Sequence, residues 1–263
     1  MADAPYKTYN LTDGVVYGPV KSRRLGASLG VNVLPFNVKV CSFNCNYCQC
    51  GWTYDTVDDA ALGKYEWPTA RQVADGLRAR LHELKAAGEH LDSITFAGNG
   101  EPTLHPDFLE TVRQVLSVRD EEMPGTKVDI LSNAAHLDRP RVVEGLNLLD
   151  ERYMKLDAGN EGQFLNMNSP VSEVGLWDIV KNLAKLKDFV VQAMFTHGRR
   201  DNTDEKSVVD WINLVKRVKP KSVQIYSVDR FPADKKITRV ERALLEEIGQ
   251  ALTAQTGIPA EVF

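Results

Sequence analysis

Four cysteines, Cys41, Cys45, Cys48 and Cys50, fall within ten residues, and the 263-residue chain has no others. A disulfide framework spreads its cysteines so that bridges close loops across the fold. Here any bridge would close a loop of only a few residues. The segment Met1–Asp13 is polar and lacks the charged-then-apolar pattern of a secretory signal. No apolar run approaches the ~20 residues of a membrane span; the stretch Phe189–Phe195 is strand-sized, and Gln192 interrupts it. Cytoplasmic, reduced thiols and no membrane partner are therefore expected, and a tight group of reduced thiols reads as a metal site.

Lys and Arg total 32 against 36 Asp and Glu, a net charge of −4. That balance argues against a surface that is polybasic throughout, so nucleic acid is a possible partner that net charge does not indicate. No fixed-period repeat, low-complexity tract or Pro/Gly/Ser-rich linker divides the chain, which predicts one domain over 1–263 with its core at about 17–253. Six β-rich runs alternate with helical patterns. The runs are Ala27–Val40, Ser93–Ala97, Lys127–Leu131, Tyr153–Leu156, Phe189–Phe195 and Ser222–Val228. Val73, Leu77, Leu81 and Leu84 make the first helical stripe, opened by Thr69 with Gln72 three positions on, a capping-box pattern. Further stripes lie at Phe108–Leu116 (with Pro106 and Asp107 at its start), Arg139–Leu149, Leu176–Leu186, Val208–Val218 and Val240–Leu252, the last with Thr238 and Glu241 as its capping box. Six β-then-α units predict an α/β fold with a parallel sheet and outer helices, a partial (βα)6 barrel. A doubly wound sheet is the alternative. Either architecture puts ligands at the carboxyl ends of the strands.

The run Cys41-Ser-Phe-Asn-Cys45-Asn-Tyr-Cys48 follows the first β-rich run directly. Three thiolates at this spacing can wrap one side of a [4Fe–4S] cluster from a single loop and leave one iron open to a non-protein ligand. Cys50 is the rival fourth ligand, only two residues beyond Cys48. The competing reading is a structural zinc site of all four cysteines, which usually draws two ligand pairs from separate hairpins. No second pair exists here, and His82, His90, His105, His136 and His197 are distant in sequence. Gly98 and Gly100 end the second strand, where a missing side chain lets backbone approach a ligand, although Asn99-Gly100 is also ordinary turn chemistry.

The Cys-x3-Cys-x2-Cys pattern with Tyr47 before its third cysteine resembles the radical S-adenosylmethionine superfamily. Two further segments carry the resemblance: Tyr17-Gly-Pro-Val-Lys-Ser-Arg-Arg-Leu-Gly upstream, and Phe96-Ala-Gly-Asn-Gly-Glu-Pro-Thr-Leu-His105 in place of the superfamily's Gly-Gly-Glu motif. Both are similar to an iron–sulfur oxidoreductase subgroup related to wybutosine-synthesis radical enzymes. The match spans about Tyr17 to Val228. It implies that Cys41, Cys45 and Cys48 ligate the cluster and that Tyr47, Gly98, Asn99, Gly100 and Glu101 lie at the S-adenosylmethionine site. Backbone at the glycines and the Glu101 carboxylate would receive the amino group of the methionine moiety. If the sheet is parallel, Ser132 and Asn133 and then Lys155 and Asp157, at the ends of the third and fourth strands, share that rim. A carboxylate or amide there can accept from ribose hydroxyls, and a lysine can hold the methionine carboxylate. Lys155 and Asp157, two apart on a strand, point to one face; a surface ion pair or helix cap is the bland alternative. Gln192, polar inside an apolar run, needs a partner if buried: adenine, ribose or backbone. Thr196 is a weaker candidate.

Arg23, Arg24 and Arg230 lie near the site or only on the surface. Thr196–Arg242 holds 12 Lys and Arg against 7 Asp and Glu, a face for an anionic substrate such as RNA or simply a solvated one. Trp52, Trp67, Trp177 and Trp211 show no stacking-platform spacing. By resemblance, a reduced cluster passes one electron to the sulfonium, and the resulting 5′-deoxyadenosyl radical abstracts hydrogen from a substrate. The electron would come from a flavodoxin- or ferredoxin-type donor. The substrate is not legible; activation of a glycyl-radical enzyme and modification of RNA are the alternatives to direct action on a small molecule. The lack of cysteines beyond Cys50 limits the chain to one cluster.

Overall fold

The computed structural model describes residues 11–54 and 63–263; residues 1–10, most of the segment read for a targeting signal, lie outside them. An eight-stranded sheet forms the centre, in the order β1-β2-β3-β4-β5-β6-β8-β10. Its strands are β1 (Val16–Ser22), β2 (Gly26–Val31), β3 (Ser93–Phe96), β4 (Lys127–Ser132), β5 (Glu151–Lys155), β6 (Val190–Phe195), β8 (Ser222–Ser227) and β10 (Ala260–Val262). Only β1 runs antiparallel, against β2; every other neighbouring pair is parallel. A small pair, β7 (His197–Gly198) with β9 (Ile237–Thr238), stands apart. Helices α1 (Ala70–Ala86), α2 (Phe108–Glu122), α3 (Pro140–Leu148), α4 (Glu161–Asn168), α5 (Leu176–Leu183), α6 (Glu205–Val218) and α7 (Arg242–Thr256) fall between the strands. The sheet curls into a half-barrel, so the partial barrel holds and the doubly wound alternative falls.

The two faces of the sheet differ in chemistry. Leu29, Val31, Ile94, Phe96, Val128, Ile130, Met154, Val191, Ala193, Val223 and Ile225 are buried in one core with the apolar stripes of the helices. Alternate residues point the other way, and that concave face carries Ser28, Thr95, Asp129, Tyr153, Lys155, Gln192, Gln224 and Tyr226. Cross-strand bonds tie it together: Ser28 to Thr95 at 2.7 Å and Gln192 to Gln224 at 2.8 Å.

The capping box at Thr69 forms as expected, with the Gln72 amide on Thr69 Oγ1 at 3.2 Å and the Thr69 amide on Gln72 Oε1 at 2.8 Å. Several boundaries differ. The run Ala27–Val40 is strand only over Gly26–Val31, because Asn32 turns the chain by bonding Leu34 through both its amide and its carbonyl and Pro35 offers no donor. The box expected at Thr238 and Glu241 is absent: Thr238 pairs with His197 in β9, and Glu241 occupies the N-cap of α7 with no side-chain bond. Helix α5 stops at Leu183 rather than Leu186. Strand β1, helix α4 and the closing β10 had no counterpart in the sequence reading. Among the described residues no helix is long and apolar enough to cross a membrane.

Candidate active site

The cysteine loop follows Val40, which forms an isolated bridge with Gly100 beyond the end of β2, and is held from three sides. Val40 donates to Asn99 O at 2.8 Å and accepts the Glu101 amide at 3.0 Å, stitching the loop to the turn after β3. Gly100 makes this possible. It sits at φ 140, and a Cβ there would lie 1.8 Å from Val40 O. Opposite, the Asn44 amide donates to Asn168 O at 2.9 Å and the Val171 amide to Ser42 O at 2.9 Å, at the C-terminal end of α4. Phe43 packs edge-on against Phe164 of α4, ring centroids 5.3 Å apart. On the third side, the Asp234 amide donates to Asn46 O at 2.8 Å.

Donors converge on the thiols from several elements. Sγ of Cys41 receives the Phe43 amide at 3.5 Å and faces Asn133 Nδ2 at 3.7 Å. Sγ of Cys45 receives Asn168 Nδ2 at 3.4 Å. Lys39, 7 % exposed, anchors its ammonium on Gly51 O at 2.8 Å. Burial pulls its pKa down, but the surrounding Cys48, Cys41 and Cys45 more than offset that. Burial pushes the Cys41 thiol up to about 12 against the pull of Lys39; Cys48 is lowered, chiefly by the hydrogen bond from Cys50 against burial. N–H and ammonium donors around thiolates are the chemistry of an iron–sulfur ligand loop, so this donor set fits such a cluster. Cys50, buried, lies against Cys48 and directs its Sγ to Gly98 O at 3.5 Å. Among the described residues no three His, Cys, Asp or Glu side chains are gathered as a single metal ion would require.

The residues expected at the strand ends share one rim, at the C-terminal edge of the concave face. Ala97, Gly98, Gly100, Leu131, Lys155 and Met194 are only half-buried there. Asp157, 3 % exposed, is the hub. Its Oδ1 accepts Lys155 Nζ at 2.9 Å and the Met194 amide at 2.7 Å. Its Oδ2 accepts the Tyr47 hydroxyl and Asn168 Nδ2, the latter at 2.8 Å. Lys155 also donates to the Tyr226 hydroxyl at 2.8 Å and lies 4.9 Å from the centroid of the Tyr47 ring. Burial would lower its pKa, but Asp157 and Tyr226 hold it above the usual value.

Glu101 ties the β3 turn to the end of β4. Its Oε1 accepts the Thr103 amide (3.1 Å), Thr103 Oγ1 (2.6 Å) and Ser132 Oγ (2.8 Å), and its Oε2 accepts the Asn133 amide at 2.7 Å. Burial nonetheless raises its pKa. Asn133 also donates to Ser42 Oγ at 2.9 Å. Asn99 turns its side chain to Thr12 (2.8 Å on both amide atoms) and to Pro35 O at 3.0 Å, so only its backbone faces the loop. Gly98 is required by protein packing, since a Cβ would sit 2.2 Å from Asn32 Oδ1. Gln192 pairs with Gln224 on the concave face, while Thr196 donates to Arg200 O at 2.7 Å and is fully buried. Arg23 pairs with Asp229 at 3.2 Å and Arg230 reaches Gln49 at 3.1 Å, both in exposed positions. Sequence reasoning missed Asn168, Tyr226 and Lys39. A lysine two residues before the first cysteine was the one legible signal.

Residues 38–212 match the family model described as Radical SAM superfamily. A UPF0026 protein of Synechocystis sp. is 30% identical over 222 residues, covering 82% of this chain and 76% of its own length. A Brachyspira hyodysenteriae protein named GTPase Obg is 29% identical over 252 residues; the match takes in 94% of this chain but only 35% of that protein. Among solved structures, TYW1 with a lysine-pyruvate adduct bound superposes with a TM-score of 0.61 at 14% identity, covering 87% of this chain and 74% of TYW1.

Proposed function

This chain belongs to the radical SAM superfamily and to the UPF0026 family, and from that premise we propose that it binds a [4Fe–4S] cluster through Cys41, Cys45 and Cys48 and S-adenosylmethionine along the half-buried rim. The observation that carries this reading is the convergence of Lys39, Asn133, Asn168 and the Phe43 amide on thiols whose loop is hydrogen-bonded to the 98–101 turn. When bound, the pair supplies one-electron cleavage of a carbon–sulfur bond and, from it, a radical able to abstract hydrogen.

The chain's own residues bind, orient and exclude water. Lys155, fixed by Asp157 and Tyr226, keeps the third N–H of its ammonium for the methionine carboxylate. Glu101 Oε2, with one donor against three on Oε1, retains capacity for the amino group, and the backbone of Gly98, Asn99 and Gly100 lies beside it. Ser132, Asn133, Asp157 and Gln192 line the nucleoside side, and the Tyr47 ring, pinned by Asp157, closes the loop over the rim. In this reading the electron is supplied by an external one-electron donor of flavodoxin or ferredoxin type.

The test is anaerobic reconstitution with iron quantitation, followed by dithionite and S-adenosylmethionine with 5′-deoxyadenosine measured. Cys45→Ala should lose the cluster and Cys50→Ala should keep it. Fewer than about three irons per chain with no nucleoside product would sink the reading.

A further inference from the structure

The β1–β2 turn sends Arg24 onto the concave face. Its backbone is fixed there, because Ser22 Oγ accepts the Arg24 and Leu25 amides at 3.2 and 3.1 Å. The guanidinium carbon stacks 3.9 Å from the centroid of the Tyr226 ring. Nη1 is buried with no hydrogen-bond partner, and among the described residues no carboxylate pairs with this guanidinium. Arg152, Arg119 and Arg23, by contrast, have acceptors. Arg152 donates to Asp188 O and Leu149 O, both at 2.6 Å, Arg119 pairs with Asp120 and Asp150, and the adjacent Arg23 pairs with Asp229. A guanidinium N–H buried without an acceptor is costly, and none of the described residues supplies that acceptor, which leaves the position to the oxygen of a ligand.

The surroundings specify its character. Tyr226 is a rigid platform: its hydroxyl accepts Lys155 Nζ at 2.8 Å and donates to Gln192 Oε1 at 3.5 Å, and Gln192 is held in turn by Gln224. Lys155 lies 4.8 Å over the same ring, but Asp157 already balances its charge, so Arg24 supplies the unbalanced positive charge. Asp129, Glu151 and Glu261 influence neighbouring Tyr153, as Arg24 does, yet none of them forms an ion pair with Arg24. Stacking fixes the guanidinium plane, and a fixed fork of N–H donors matches the oxygens of a carboxylate or phosphate.

We propose that Arg24 anchors an oxyanion of the substrate, a carboxylate or a phosphate group, on the Tyr226 platform inside the half-barrel, so that the substrate is a small anionic molecule. This deepens the reading of the site as a radical enzyme and rests on it. The burial of Nη1 favours a small free anionic group over the backbone of a polymer.

The experiment titrates the whole chain with inorganic phosphate and, separately, with acetate at constant chloride, followed by calorimetry. One saturable site per chain is expected for at least one probe. Arg24→Gln should weaken it at least about tenfold, the equivalent of 1.4 kcal/mol, with iron content after reconstitution and melting temperature preserved. Arg24→Lys keeps the charge and loses the fork, so it should fall between the two. Should Arg24→Gln fail to fold, Tyr226→Leu removes the platform and should weaken binding on its own. No saturable site for either probe, or equal affinity in these variants, overturns the proposal. The titration does not depend on the cluster: oxyanion binding without iron loading refutes the radical-enzyme reading, and iron loading without oxyanion binding refutes the anchor.

Discussion

Replacing Asp157 by Asn tests the hub of the rim without touching a cysteine. The carboxylate accepts four donors: Lys155 Nζ and the Met194 amide on one oxygen, the Tyr47 hydroxyl and Asn168 Nδ2 on the other. An amide turned either way presents an NH2 to two of these donors, so about two hydrogen bonds become repulsive contacts. Lys155 also loses its counter-charge. Removing one partner of a buried pair costs about 3–5 kcal/mol; the Lys155 side chain is 17% exposed and keeps Tyr226, which discounts that to roughly 2–4 kcal/mol. At about 2–4 °C per kcal/mol for a chain of this size, the melting temperature should fall by roughly 4–16 °C. The assay is near-ultraviolet circular dichroism of cluster-free protein at neutral pH. Combining Asp157→Asn with Lys155→Met removes the uncompensated ammonium, so the double variant should melt above Asp157→Asn alone. A single variant within about 1 °C of the parent, or a double variant that melts lower still, would refute the assignment of Asp157 as counter-ion and hub.

Gly100→Ala would place a Cβ 1.8 Å from Val40 O at a φ of 140, so it should break the Val40–Gly100 bridge; iron content after reconstitution should drop sharply, and full loading would contradict the role given to that bridge. Asp129 has an unpartnered Oδ1, and burial, reinforced by Glu151, pushes its pKa to about 7. Because the native state holds this proton more tightly than the unfolded chain does, stability should fall as pH rises from about 4 to about 7, by on the order of 2–4 kcal/mol. Asp129→Asn should remove that slope and raise the melting temperature at pH 8; a variant with the parent's pH profile would exclude Asp129 as its source.

The helices and the parallel order were legible because their signals are local: Thr69 and Gln72 sit three apart, and Val73, Leu77, Leu81 and Leu84 repeat near 3.6. Strand β1 was hidden inside a segment that reads as a motif, and its partner is the very next run, so nothing but register marks it. Helix α4 is eight residues with little amphipathic contrast, its start fixed by Asn160 Oδ1 on the Gln163 amide at 2.9 Å. That helix delivers Asn168 to Cys45 across 123 positions of sequence, a distance no spacing rule spans. Glu101 was legible as a site residue, whereas its engagement by Thr103, Ser132 and Asn133 depends on β3 and β4 ending side by side.

The polar concave face was written in the strands as alternation. Ser28, Thr95, Asp129, Tyr153, Gln192, Gln224 and Tyr226 each interrupt or flank apolar runs at strand period, yet Gln192 alone stood out because its run is otherwise apolar. A parallel sheet buried on both faces reads as nearly continuous apolar residues, so a polar residue recurring at one register row marks a face that packs against no helix. The rows match: Lys155 aligns with Gln192 and Gln192 with Gln224. Such a face requires either water or a ligand for its donors, and its members here bond mostly to one another, from Cys45 through Asn168, Asp157, Lys155 and Tyr226 to Gln192. Arg24 is the cationic member of this face left outside that chain of bonds, which is why the substrate's oxyanion is assigned to it, while Lys155 keeps its remaining N–H for the methionine carboxylate.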